Sequence, residues 1–198
     1  RPTATMRSPS MATSAVREAT NAEEFLRRAR DEAGVEAKVI SGYEEARLIQ
    51  LGVLQALPVF DRRLALIDVG GGSTEVLIGE RGVASYARSI KLGSLRMTRR
   101  FFPEGVVEGD ALARCRTYVR GRLAPMVHDT AQLHHDIAVA SSGTAEALAA
   151  MVLTRREEPL PQSLNAATIT SAELTAVIEE LAAAPTVEER RKLAGIDP

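Results

Sequence analysis

A single cysteine, Cys115, leaves no second thiol for an intramolecular disulfide and suits a reducing compartment. It reads as a small apolar residue on a helix face. No stretch approaches the roughly 20 apolar residues of a membrane-spanning helix. Residues Arg1 to Ser10 hold two prolines and little apolar content, so they lack the apolar core of a secretory signal and read as an irregular lead-in. The expectation is a cytoplasmic protein with no membrane partner. Neither charge is in excess: 25 Lys+Arg stand against 26 Asp+Glu, a formal net charge of −1. That speaks against a nucleic-acid partner bound through a broad basic field. It leaves room for a local cationic pocket, which needs only a few donors. Internal repeats and low-complexity tracts are also missing. His134 and His135 have only His128 for company and no cysteine nearby, so a zinc site is not expected.

What is present is the composition of a globular α/β chain, with 45% hydrophobic and 26% charged residues over 198 positions. Asn21 followed by Glu24 suggests a capped helix that ends at Gly34. Lys38 to Ile40 reads as a short strand. Ala46, Ile49, Val53 and Leu57 mark a helix face stopped by Pro58. Leu64 to Val69, Glu75 to Gly79 and Val83 to Leu92 read as three consecutive strands. Leu112, Cys115, Val119, Leu123 and Met126 trace a long amphipathic helix, Ile137 to Ala140 a further strand, and Ala145 to Val152 a helix. Thr170 with Glu173, and Thr186 with Glu189, are capping boxes that each open a helix. Arg155 to Thr168 reads as a loop. Three strands, then helix, strand and helix, is the order of ribonuclease H-like domains.

The chemistry concentrates in Asp68-Val69-Gly70-Gly71-Gly72-Ser73-Thr74-Glu75. Consecutive glycines let a backbone approach a ligand closely and aim N–H groups at it, and concave runs of N–H groups bind phosphate. Carboxylates beside a phosphate repel it unless a cation lies between, so Asp68 and Glu75 together imply a hard divalent ion. Mg²⁺ fits, because it keeps most of its waters and is held by one or two carboxylates plus substrate phosphate. A Walker loop is a poor alternative because no lysine follows the glycines and the next element is a strand. A dinucleotide fingerprint fails for the same reason. Ser141-Ser142-Gly143-Thr144, between a strand and a helix, offers a second anion site. Ser41-Gly42-Tyr43-Glu44-Glu45-Ala46-Arg47 places two acids at a helix start, where they ordinarily complement the dipole. Arg96, Arg99 and Arg100 form a basic cluster after the third strand, open to contact with distal phosphates but expected to be a solvated surface.

Taken in order, the segments Ala12 to Arg17, Val39 to Arg47, Leu66 to Glu75, Ile90 to Arg96 and Ala140 to Thr144 resemble the exopolyphosphatase / guanosine pentaphosphate phosphohydrolase (Ppx/GppA) family. The resemblance implies a ribonuclease H-like, actin-like ATPase fold with a mixed five-stranded sheet flanked by helices, and a cleft between two domains. Residues 1–43 would be the C-terminal part of the first domain and 44–198 the second, with the chain incomplete at both ends. It implies release of terminal orthophosphate from inorganic polyphosphate, or from a guanosine polyphosphate, with a homodimer an available state. Glu45 becomes the catalytic base. Asp68 and Glu75 become ligands of Mg²⁺. Arg17, Gly70, Gly71, Gly72, Ser73 and Thr74 become phosphate contacts, joined by Ser142, Gly143 and Thr144. The family's first-domain phosphate loop is not found in this sequence, so little hydrolysis and an unpaired sheet edge are expected of the 198 residues alone. A nucleotide-binding module of the actin or sugar-kinase type, and a non-catalytic polyphosphate sensor, are the competing readings.

Overall fold

A computed structural model of the chain describes residues 10–196. The lead-in expected over Arg1 to Ser10 therefore lies outside the described residues, except for Ser10, which opens a strand. β1 (Ser10–Ala12) pairs in parallel with β2 (Ala37–Val39), and the connection carries α1 (Ser14–Arg17) and α2 (Ala22–Ala33). Gly34 closes α2 in the left-handed region at φ 64°. Asn21, expected to cap α2, makes no side-chain cap bond. Its φ −107° and ψ 25° are not the extended backbone in which a cap oxygen faces the free N–H groups. Ser41, at ψ 159°, is extended, and its side chain accepts from the Glu44 N–H, opening α3 (Gly42–Ala56). Leu57 then turns extended ahead of Pro58, and the helix stops.

β3 (Leu64–Val69), β4 (Thr74–Glu80) and β5 (Val83–Ile90) form an antiparallel meander. After it come α4 (Ser94–Phe101) and α5 (Gly109–Thr130), then β6 (Ile137–Ser141), which returns parallel to β3. The strand order is β5-β4-β3-β6, the ribonuclease H-like arrangement. Among the described residues this sheet has four strands, where five were expected. Leu64, Leu66 and Leu77 on one face bury against Ala46 and Val53 of α3, with Ile49 and Leu57 packed alongside. On the other face, Ile90 joins Leu92 and Met97 beneath Cys115, Val119, Leu123 and Met126 of α5. β5 thus sends residues to both faces, Ala87 toward α3 and Ile90 toward α5.

Of the remaining helices, α6 (Gly143–Arg155) and α7 (Ser171–Ala183) pack around Met151, Val152 and Val177, and α8 (Val187–Arg190) follows them in the chain. Both expected capping boxes are present. The Arg156 guanidinium, with Thr170 beside it, holds the Glu173 carboxyl down to about 2 from its ordinary 4.5. A depressed carboxyl contributes stability that is complete above the ordinary value and is lost as pH falls through the folded one. Glu173→Gln is therefore expected to flatten the fall in thermal midpoint between about pH 4.5 and about pH 2. Melting curves on both proteins across that window check it, and matching acid limbs would remove the role.

Candidate active site

The site begins with the strand register. Two residues beyond the apolar row Val139, Leu66, Leu77 and Ala87, a polar row crosses all four strands: Ser141 opposite Asp68, Asp68 opposite Glu75, Glu75 opposite Ser89. Residues two apart on a strand share a face, so this row continues the face that α3 covers. A hydroxyl stands at each end. Ser89 Oγ donates to Glu75 Oε1 at 2.6 Å, and Ser141 Oγ donates to Asp68 Oδ2. Gly42, the first residue of α3, sits directly on Ser89: a Cβ there would lie 2.2 Å from the serine Cβ. That close approach brings the first turn of α3, and Glu45 with it, over the row.

Three carboxylates therefore converge. Burial pushes the Glu75 carboxyl up; hydrogen bonds from Ser89 and Ser73 oppose this, while the charges of Glu45 and Asp68 push it further up. Glu75 is only 3% exposed. No set of three metal-ligating side chains clusters tightly enough among the described residues to enclose an ion alone. Mg²⁺ does not need one, since water and substrate oxygens fill most of its octahedron. Two hard carboxylates on facing strands, one of them buried and in need of a counter-charge, fit such a hydrated ion.

The glycine loop is shaped by its carbonyls. Gly70 O accepts from Ser94 N at 2.9 Å, Gly71 O from Arg96 N at 3.1 Å, and Gly72 O from Arg96 Nε at 2.7 Å. With the carbonyls drawn to the start of α4, the N–H groups of Gly71, Gly72 and Ser73 take no protein partner among the described residues. Such a run of free N–H groups is an anion cradle. Thr74 closes the loop from behind, its hydroxyl donating to Leu92 O at 3.2 Å.

A cavity of about 1040 Å³ opens over this loop and includes Glu45, Asp68, Glu75 and Gly70 to Ser73 in its wall. Arg17 does not line it: its guanidinium donates to Ile40 O at 2.7 Å and pairs with Glu45 at 3.2 Å, so it orients the carboxylate. Ser142, Gly143 and Thr144 stand behind Val69, outside the cavity wall. The Ser142 and Thr144 hydroxyls donate to Val69 O at 2.9 and 3.0 Å, bracing the end of β3 from which Asp68 and the loop depart. Ser142 holds this position at φ 89°, a strained conformation for a residue other than glycine.

The cavity also has a cationic wall, of which the sequence had singled out Arg96, Arg99 and Arg100. Lys91, Arg96, Arg99, Arg100 and Arg122 all line it, as does Glu18. Glu18 holds Lys91 at 2.7 Å and Arg96 at 3.0 Å, and the Lys91 hydrogen bond leads in keeping its carboxyl below the usual range. Arg96 and its neighbours gave a signal, a basic cluster, but α4 was not read as a helix. A glycine at its N-cap and mostly polar residues hid it.

With this geometry in place, comparison with known proteins is informative. The chain is 36% identical over 143 residues to a guanosine-5′-triphosphate,3′-diphosphate pyrophosphatase of Photobacterium profundum, covering 72% of this chain and 29% of that protein. An exopolyphosphatase structure from Cytophaga hutchinsonii superposes with a TM-score of 0.83 at 28% identity, over 96% of this chain and 61% of the other. A Ppx/GppA family member from Aquifex aeolicus gives 0.76 at 26% identity, over 96% and 60%. The chain thus spans under a third of the first relative and about three fifths of the two structures. No helix among the described residues is long and apolar enough to cross a membrane. The pattern of one family matches from residue 9 to residue 198, which is far more than a coincidence of one loop: the chain belongs to the Ppx/GppA phosphatase family.

Proposed function

We propose that this site releases the terminal orthophosphate of inorganic polyphosphate by attack of water. The observation that carries the reading is the meeting of Glu45, Asp68 and Glu75 at a loop whose N–H groups are free. The terminal phosphate seats on the N–H groups of Gly71, Gly72 and Ser73. Glu45, oriented by Arg17, accepts the proton of the attacking water. The new P–O bond forms as the anhydride bond opposite it breaks, and the shortened chain leaves with the bonding pair. Asp68 and Glu75, fixed by Ser141 and Ser89, are the residues that would hold Mg²⁺. When bound, that ion neutralises charge on the phosphate oxygens. Positioning and electrostatics supply the catalysis, as phosphoryl transfer requires.

Guanosine pentaphosphate is the second reading, because the Photobacterium protein bears that activity in its name. Its 5′ end presents the same terminal anhydride, so the same side chains would serve. Phosphate release from both substrates, measured on the whole protein with Mg²⁺ and again with a chelator, tests the proposal. Metal-dependent release from polyphosphate is expected. Release from the nucleotide alone would favour the second reading, and release unaffected by chelation would remove Asp68 and Glu75 as metal ligands.

A further inference from the structure

Arg17 and Glu18 are neighbours in the chain, yet they act on different parts of the site. Arg17 orients Glu45. Glu18, which closes α1, holds two cations: Lys91 Nζ at 2.7 Å through Oε2, and Arg96 at 3.0 Å through Oε1. The Lys91 hydrogen bond leads in keeping its carboxyl below the usual range, so the group stands there ionised. Ser14, one turn earlier, donates its hydroxyl to the same Oε1 at 3.1 Å and fixes the way the carboxylate faces. Ser14 is itself buried against the glycine loop, where a Cβ on Gly72 would lie 2.7 Å from its Oγ.

Arg96 is held from two sides. One terminal nitrogen meets Glu18, while Nε donates to Gly72 O at 2.7 Å. A guanidinium is planar and rigid, so fixing one nitrogen fixes the direction of the others. Gly72 O is one of the three carbonyls whose capture leaves the N–H groups of the loop free. We infer that Glu18 is a positioning residue for phosphate release, which aims Arg96 at the Gly72 carbonyl and so keeps the glycine loop in its anion-accepting form. The inference rests on the polyphosphatase reading and adds to it a residue that acts through another. A carboxylate on a wall that faces phosphate repels the substrate, and the two bonds of Arg96 give Glu18 a task that offsets this. With Arg17 aiming the base and Glu18 aiming the loop, one four-residue helix sets both sides of the attack. Reacting groups tolerate little misplacement, so a loosened loop shows in rate before it shows in stability. Both ion pairs of Glu18 are partly exposed, and such pairs contribute little to folding.

The test is steady-state phosphate release from long-chain polyphosphate with Mg²⁺ on the whole protein, for wild type, Glu18→Gln, Arg96→Gln and the double variant, beside thermal melts of each. Glu18→Gln keeps the shape of the side chain and loses the charge that holds Arg96. Its kcat is expected to fall roughly tenfold, with KM level or lower because Lys91 and Arg96 lose their counter-charge. The thermal midpoint should hardly move. Because Glu18 acts through Arg96, adding Glu18→Gln to Arg96→Gln should lower kcat little further, a non-additivity that two independent residues do not show. Ser14→Ala leaves every charge in place and should lower kcat by less. It carries the test if Glu18→Gln does not fold, and a level kcat there would then overturn the role. A kcat in Glu18→Gln at or above wild type would also overturn it, and a lowered KM beside it would make Glu18 a competitor of phosphate instead. Additive losses, or a kcat that recovers when a destabilised Glu18→Gln is assayed at lower temperature, would overturn it too. In each of these cases wild type still hydrolyses and the polyphosphatase reading stands, whereas no release by wild type overturns both.

Discussion

Replacing Glu45 with glutamine is expected to lower the turnover number for phosphate release by about 10²–10⁴-fold, the usual contribution of a general base. The amide keeps the size of the side chain and can still accept a hydrogen bond, but it cannot take a proton from water. The fold should survive the change. The start of α3 is capped by Ser41 and not by Glu45, and Arg17 keeps its bond to Ile40 O. Binding should hold or tighten, because one of three converging negative charges disappears from the wall that faces phosphate. The signature is therefore a large fall in kcat with KM level or reduced, the pattern of an interaction made only in the transition state or of relieved ground-state repulsion. A matching fall in Arg17→Gln, smaller in size, would show that the guanidinium acts through the carboxylate. A turnover number close to wild type in Glu45→Gln would take the base away from α3 altogether.

Much of this site was legible in the sequence because its parts are local. Asp68 follows Leu66 by two, and Glu75 precedes Leu77 by two, so each carboxylate had to share a face with a core residue. The Ser41 cap and the two threonine boxes depend on residues three apart. What the sequence hid is pairing across distance. Ser89 looks like any polar residue of a half-buried strand until the β4–β5 register sets it opposite Glu75. Arg122 is one of several arginines along α5, and only the packing of α5 under α4 selects it. The fourth strand joins the row through Ser141 after an excursion of more than sixty residues, too far for any spacing rule to anticipate. The glycine loop was read as backbone that approaches a ligand closely, and the structure shows close approach to the protein itself. None of Gly70, Gly71 and Gly72 has a positive φ, while a Cβ on Gly72 would lie 2.7 Å from Ser14 Oγ and one on Gly71 would lie 3.0 Å from Leu95 Cδ1.

The same reasoning makes Gly93 a sensitive small residue near the site. Its backbone, at φ −67° and ψ 153°, is one that alanine adopts freely, so conformation is no obstacle. Space is. A Cβ on Gly93 would lie 2.3 Å from both the carbonyl carbon and oxygen of Gly71 and 2.4 Å from the carbonyl carbon of Gly72. These are backbone atoms, which no rotamer change can clear. Gly93→Ala must push α4 off the loop, and the bonds from Ser94 N, Arg96 N and Arg96 Nε to the three glycine carbonyls go with it. The expected cost is about 1–3 kcal/mol for the overlap, before any hydrogen bond is counted. Activity should fall further than stability alone explains if the loop seats phosphate as proposed, because those bonds are what leave its N–H groups free. Gly52 supplies the contrast. It lies inside α3, and nothing stands within 4 Å of a Cβ placed there, so Gly52→Ala should stabilise the protein by about 0.5–1 kcal/mol. Chemical denaturation of the two variants should therefore shift in opposite directions for one and the same substitution. If Gly93→Ala unfolds like wild type and hydrolyses at the same rate, the loop is not held by α4, and the free N–H groups lose their explanation.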